Sequence, residues 1–269
     1  MKAESATVTP LRAEEEEHRG PFPPAPPAPA PRKTLVEELL LVLWLSLLAD
    51  AAYAILSFTK GPVNRSVSVA VIPQTPRLAE QLVPIAVALA PVWLVYYLLR
   101  RNSERPAVIG MAFDRPAWDI GGGAILALVV GAAGVVIYIV SVRLGHNRIV
   151  IPVPPLGLWW SIPVLVLTAA QNALLEETVV LGYMVTRLQQ VGTPALAAIG
   201  MSAVLRGSYH LYQGWGGFTG NLMMGLLFGL VFLRWRRTWP MVIAHTLLDV
   251  GAGVLFIAFH NQLHGLLAG

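Results

Sequence analysis

Residues 158–186 read LWWSIPVLVLTAAQNALLEETVVLGYMVT, and this stretch decides the fold class. It exceeds the roughly 20 apolar residues needed to cross a bilayer. Yet it carries two adjacent carboxylates, Glu176 and Glu177. Ionisable groups at membrane depth are costly and tend to mark function. The stretch also holds Pro163, which predicts a kink, or a division into a span and a re-entrant piece.

The same apolar pattern recurs on both sides. Apolar runs predict helices at about 35–58, 80–99, 118–142, 158–186, 194–212, 219–235 and 239–261. The expected fold is therefore all-α, a polytopic membrane helix bundle of about seven transmembrane helices, or eight if 158–186 divides. Composition agrees. Charged residues make up 13% of the 269-residue chain, about half the roughly 25% of a soluble domain. Ten of the 34 charges fall in residues 1–33, and mean hydropathy is +0.62. Such a chain can hide its apolar surface only in lipid.

Two regions follow. Residues 1–33 combine the acidic run Glu14 to Glu17 with a Pro/Ala-rich stretch at 21–31, which favours polyproline II and builds no core. This tail is expected to be disordered, and it lacks the apolar run of a signal peptide. Residues 34–269 form the transmembrane domain. The absence of cysteine excludes disulfides, thiolate nucleophiles and Cys-ligated metals. The net charge of +4 does not point to nucleic acid, because the basic residues border apolar runs instead of forming a stripe. Bordering arginines act as topology signals. With the N-terminus inside, Arg100, Arg101, Arg105, Arg115, Arg187, Arg234, Arg236, Arg237 and five tail cations are cytoplasmic. Lys60, Arg65, Arg77, Arg143 and Arg148 are then outside, and thirteen against five favours that orientation.

After Asp119 the chain has only three carboxylates, Glu176, Glu177 and Asp249, all inside expected spans. His210 and His245 lie in the same half. His245 and Asp249 are spaced i, i+4 and share a helix face, as do Arg206 and His210. Glu176 and Glu177 point about 100° apart. Two carboxylates so close in low dielectric require that one be protonated or that a cation sit between them. A site thus draws on three helices: Glu176/Glu177, His210, and His245/Asp249.

These residue types suit water-mediated hydrolysis. A carboxylate can take a proton from water, and two histidines can bind a metal or donate to an oxyanion. No G-x-S-x-G nucleophile motif and no H-E-x-x-H zinc motif is present. His210 and His245 are candidate metal ligands, so a divalent ion such as zinc is a candidate cofactor that these residues permit without requiring. Gly225-x-x-x-Gly229 predicts close helix approach, and Trp159, Trp160, Trp215 and Trp239 read as interfacial anchors. Tyr209, Tyr212 and Gln213 flank His210 as candidate groove residues. Asp50 and Glu80 are assigned to packing or snorkelling.

The order Glu176-Glu177 with Gly182-Tyr183, then His210, then His245-x-x-x-Asp249 resembles the CPBP intramembrane proteases. That family includes the CAAX prenyl endopeptidases and the bacteriocin-processing and immunity (Abi) proteins. Its pattern is E-E-x-x-x-R, F-x-x-x-H and H-x-x-x-N/D on successive membrane helices. The resemblance covers about 158–261, the expected protease core. It implies that Glu176 activates water with help from His210, while His245 and Asp249 stabilise the oxyanion or bind a metal. It further implies a membrane-associated peptide or protein substrate and a bacterial plasma-membrane location. Two positions depart: the family Arg falls on Leu181 and the Phe on Arg206. Leu181 leaves Glu177 without its i+4 counter-charge, so Arg206 is expected to supply it across two helices. The competing readings are a proton-coupled transporter, since buried Glu and His also relay protons, and an inactive scaffold of the same family.

Overall fold

The computed structural model describes residues 30–59 and 68–268, with side chains up to residue 259. Most of the expected tail therefore lies outside the described residues, as do Lys60 and Arg65. Arg32 and Lys33 already belong to the first helix.

Seven long helical segments form an all-α bundle: α1 (Arg32–Thr59), α2 (Leu78–Arg101), α3 (Pro116–Arg143), α4 (Ser161–Gln190), α5 (Ala195–Tyr209), α6 (Trp215–Trp235) and α7 (Trp239–Ala268). Six are long and apolar enough to span a membrane, and the exception is α5. At about 1.5 Å per residue its 15 residues reach roughly 22 Å, short of the bilayer core. The chain is an integral membrane protein. α2 is interrupted at Leu89, where the Pro91 ring and missing N–H disrupt the helical ladder.

Pro163 neither kinks nor divides α4. It sits in the first turn, where a proline costs no helical hydrogen bond. The irregularity comes later, as a π-helical stretch over Glu177–Tyr183. Such wider turns are frequent at functional sites. α4 is the central helix: 67% of its most apolar window is buried, against 11–33% in the other spans. Val179, Val180, Leu181, Tyr183 and Val185 pack there with Val95, Leu99, Ala198, Phe228, Phe232 and Ala244. Val129, Val87 and Leu230 point outward to where lipid lies.

Hydrogen bonds define the two ends of the bundle. At one end Thr238 N–H donates to the Gly110 carbonyl, and Arg187 pairs with Glu104 at 2.6 Å. There too Arg237 forks onto Asp119 with two 2.6 Å bonds and reaches Asp114 at 2.7 Å. That last bond holds the Asp114 carboxyl below its ordinary value. At the other end two short parallel strands pair, β1 (Ser68–Ala70) with β2 (Ile149–Ile151). Asn147 bridges Gly214 beside them, and Arg148 donates to the Tyr212 carbonyl. The chain therefore alternates between the ends, α5 included.

Small residues set the helix spacings. A Cβ on Gly182 would meet the Ile109 carbonyl oxygen at 2.8 Å, and one on Gly225 would meet Ala203 Cα at 3.0 Å. Gly225-x-x-x-Gly229 thus brings α6 against α5 within the chain. Gly182→Val should destabilise the bundle by roughly 1–3 kcal/mol through overpacking against backbone, seen as a lower unfolding temperature in detergent. Of the four tryptophans assigned to the interface, Trp160 departs. It is buried, because it precedes α4 and turns into the bundle rather than toward lipid. Trp159 and Trp215 are exposed as expected.

Candidate active site

Three helices converge on one carboxylate oxygen. Arg206 Nη2 from α5 lies 2.6 Å from Glu177 Oε1 of α4, and His245 Nδ1 from α7 lies 2.8 Å from the same atom. Glu177 is 0% exposed and Arg206 1%. The cross-helix pairing expected from the sequence is present, while Leu181 packs in the core where the family carries Arg. Arg206 Nη2 also stands 3.9 Å from Glu176 Oε2. A cation thus serves both acids, which answers the like-charge problem of adjacent carboxylates.

The two glutamates face different ways, as the 100° step between neighbours requires. Glu177 points into the protein. Glu176 lines a cavity of about 1490 Å³, together with His210, His245, Asp249, Tyr209, Tyr212 and Gln213. Tyr209 hydroxyl donates to Glu176 Oε2 at 2.7 Å, which fixes that carboxylate. His210 ends α5 and turns its Nδ1 to the Arg206 carbonyl at 3.0 Å. A carbonyl only accepts, so Nδ1 carries hydrogen, and Nε2 of a neutral ring is left as an acceptor. By the same reasoning His245 donates from Nδ1 to Glu177. Its Nε2 is 3.7 Å from Asp249 Oδ2, close for electrostatics but beyond hydrogen-bond range.

Two polar residues beside the acids of the cavity were not identified as such from sequence. Asn172 lines the cavity one turn before Glu176 and lies beside Asp249; an i, i+4 polar pair in an apolar run was the available signal. Asp50 of α1 also lines it and lies near enough to Glu176 for their charges to interact. Its assignment to packing or snorkelling is therefore corrected. Glu80 stays at the helix end with Arg77 and Thr75.

The donor set does not fit a zinc centre. Such a site needs three or four ligands on one ion, and although His210 and His245 keep Nε2 open while Nδ1 is held by protein groups, a third ligand is not placed with them. Among the described residues no group of three His, Asp or Glu side chains is placed to share an ion.

A bundle of membrane-spanning helices thus gathers acids and histidines around an internal cavity. Residues 158–251, about a third of the chain, match the family model described as type II CAAX prenyl endopeptidase Rce1-like, and this match supports the CPBP resemblance of that segment. The matched segment holds Glu176, Glu177, Arg206, His210, His245 and Asp249, but not Asp50. No curated protein and no solved structure matches the chain.

Proposed function

We propose that the chain is an intramembrane endopeptidase that hydrolyses a peptide bond of a membrane-associated protein or peptide with water activated by Glu176. The observation that carries this reading is the division of the two acids. Glu176 faces the cavity with one oxygen held by Tyr209, and Glu177 is buried behind it as the anchor of Arg206 and His245.

In the proposed reaction Glu176 accepts a proton from water held between it and His210 Nε2. The resulting hydroxide attacks the scissile carbonyl carbon. His245, anchored through Nδ1, presents Nε2–H to the oxyanion, and Asp249 balances the imidazolium charge. The carbon–nitrogen bond then breaks, and the proton on Glu176 passes to the leaving amine. Preorganised donors of this kind contribute most where water is excluded. Glu177 and Arg206 are positioning residues, since neither lines the cavity. The proposed location is a bacterial plasma membrane with the N-terminus in the cytoplasm. The gathering of Arg100, Arg101, Arg115, Arg187, Arg236 and Arg237 toward one end supports that orientation.

Purified protein in liposomes, incubated with a library of membrane-anchored peptides, should release fragments with new termini identified by mass spectrometry. Release should continue after exhaustive chelation, because among the described residues no three His, Asp or Glu side chains are placed to share an ion. Loss of cleavage on chelation, with recovery on adding zinc, would overturn the water-activation scheme. Absence of any cleavage, with proton flux in the same liposomes, would overturn the protease reading.

A further inference from the structure

Asp50 is unusual among the acids of the cavity. Glu176 has Tyr209 and Arg206 close by, and Asp249 has His245 and Asn172. Asp50, from α1, has no hydrogen bond or ion pair among the described residues, and its neighbouring charge is Glu176, of like sign. A carboxylate within a membrane span ordinarily finds a partner or lines a pathway used by a ligand. Here it lines the cavity of the candidate site.

The rest of the lining points the same way. Among the described residues the cavity is lined by three carboxylates, Asp50, Glu176 and Asp249, two histidines, and no Lys or Arg. Arg206 lies behind the wall and is taken by Glu177. A second, independent feature is Gln81, which lines the cavity and is only 2% exposed. Its amide nitrogen donates to the Pro73 and Thr75 carbonyls, and its buried Oε1 has no hydrogen-bond partner among the described residues. The cavity thus holds a free carboxylate and a buried free carbonyl, both acceptors. An ammonium or guanidinium group, with three to five donors and no acceptor, is the complement of such a lining.

Building on the protease reading, we infer that Asp50 is a specificity residue that binds a Lys or Arg side chain of the peptide substrate inside the cavity. The occupant follows from charge. A basic side chain gains a counter-charge there, whereas a free C-terminal carboxylate would meet three acids against the single imidazolium of His245. The same chemistry would suit the amine of a lipid headgroup, but an apolar peptide bearing one basic residue also fills the apolar wall of Leu128, Val135, Ile139 and Leu255.

The test uses full-length protein in liposomes and matched apolar peptides that differ at one position, Lys, norleucine or Glu, scanned through the sequence. At the best position wild type should cleave the Lys peptide about tenfold more efficiently than the norleucine peptide, an affinity ratio of ordinary size for one ion pair. In Asp50→Asn the ratio should collapse toward one, Asp50→Glu should retain it, and Asp50→Lys should turn it in favour of the Glu peptide. Fluorescence anisotropy of the same peptides on wild type and Asp50→Asn reads the preference without turnover, so it holds even if no bond is cut. Absence of any Lys preference, or its persistence in Asp50→Asn, would overturn the inference while leaving the protease reading intact. A response to vesicle phosphatidylethanolamine instead of peptide charge would assign Asp50 to lipid and overturn it as well. Failure of the protease reading would show separately, as no cleavage with the binding preference unchanged.

Discussion

Glu176→Gln should lower peptide turnover by about 10²-fold or more, the ordinary scale of general acid–base catalysis. The substitution keeps the shape of the side chain and leaves an oxygen to accept the Tyr209 hydroxyl, which lies 2.7 Å from Glu176 Oε2. What it removes is the ability to accept a proton from water. Because Glu177 retains Arg206 and His245, the inner cluster should survive and the unfolding temperature should barely move. Activity loss with an intact fold is therefore the expected combination. A Gln variant as active as wild type would remove Glu176 from the mechanism.

The second large effect is on stability. Arg206→Leu leaves the Glu177 carboxylate, 0% exposed, without the guanidinium 2.6 Å away. Breaking a buried pair from one side costs about 3–5 kcal/mol. The variant should unfold well below wild type and should lose activity, since His245 leans on the same oxygen. Removing both charges in Arg206→Leu with Glu177→Gln should restore much of the stability, because no uncompensated charge remains. Activity should stay low in the double variant, where a neutral amide holds His245 more weakly than a carboxylate does. An Arg206→Leu protein as stable as wild type would show that the pair carries no such energy.

The bundle was largely legible because the bilayer leaves the sequence few choices. An apolar run flanked by Arg or Pro must be a helix, so 118–142 anticipates Pro116–Arg143 closely. α6 begins at Trp215 rather than 219, since Gly216 and Gly217 resemble a loop in composition yet let α6 pack against Ser141 and Gln213. The Arg206–Glu177 pairing was legible from the family pattern and charge balance together: Leu181 stands where the pattern carries the Arg beside Glu177, and one cation lay within a span. The π stretch of α4 was not, because local propensity carries no mark of an i→i+5 ladder forced by neighbours. Asp50 was visible as an acid in an apolar run. Its place in the cavity was not, because Asp50 precedes the family segment by more than a hundred residues and no spacing rule joins them.

The meeting of three helices on one oxygen of Glu177 has a consequence for how the protein enters its membrane. α4 emerges from the ribosome first and brings an acid that has no partner. α5 follows, too short to hold itself across the bilayer and burdened with Arg206, whose insertion alone carries a penalty of about 2.5–3.5 kcal/mol on translocon scales. Neither segment is a good passenger by itself. Each neutralises the other, so α5 is drawn in by the acid already waiting, and α7 then closes the set with His245. A chain arrested before residue 206 lacks the counter-charge that Glu177 has in the finished fold.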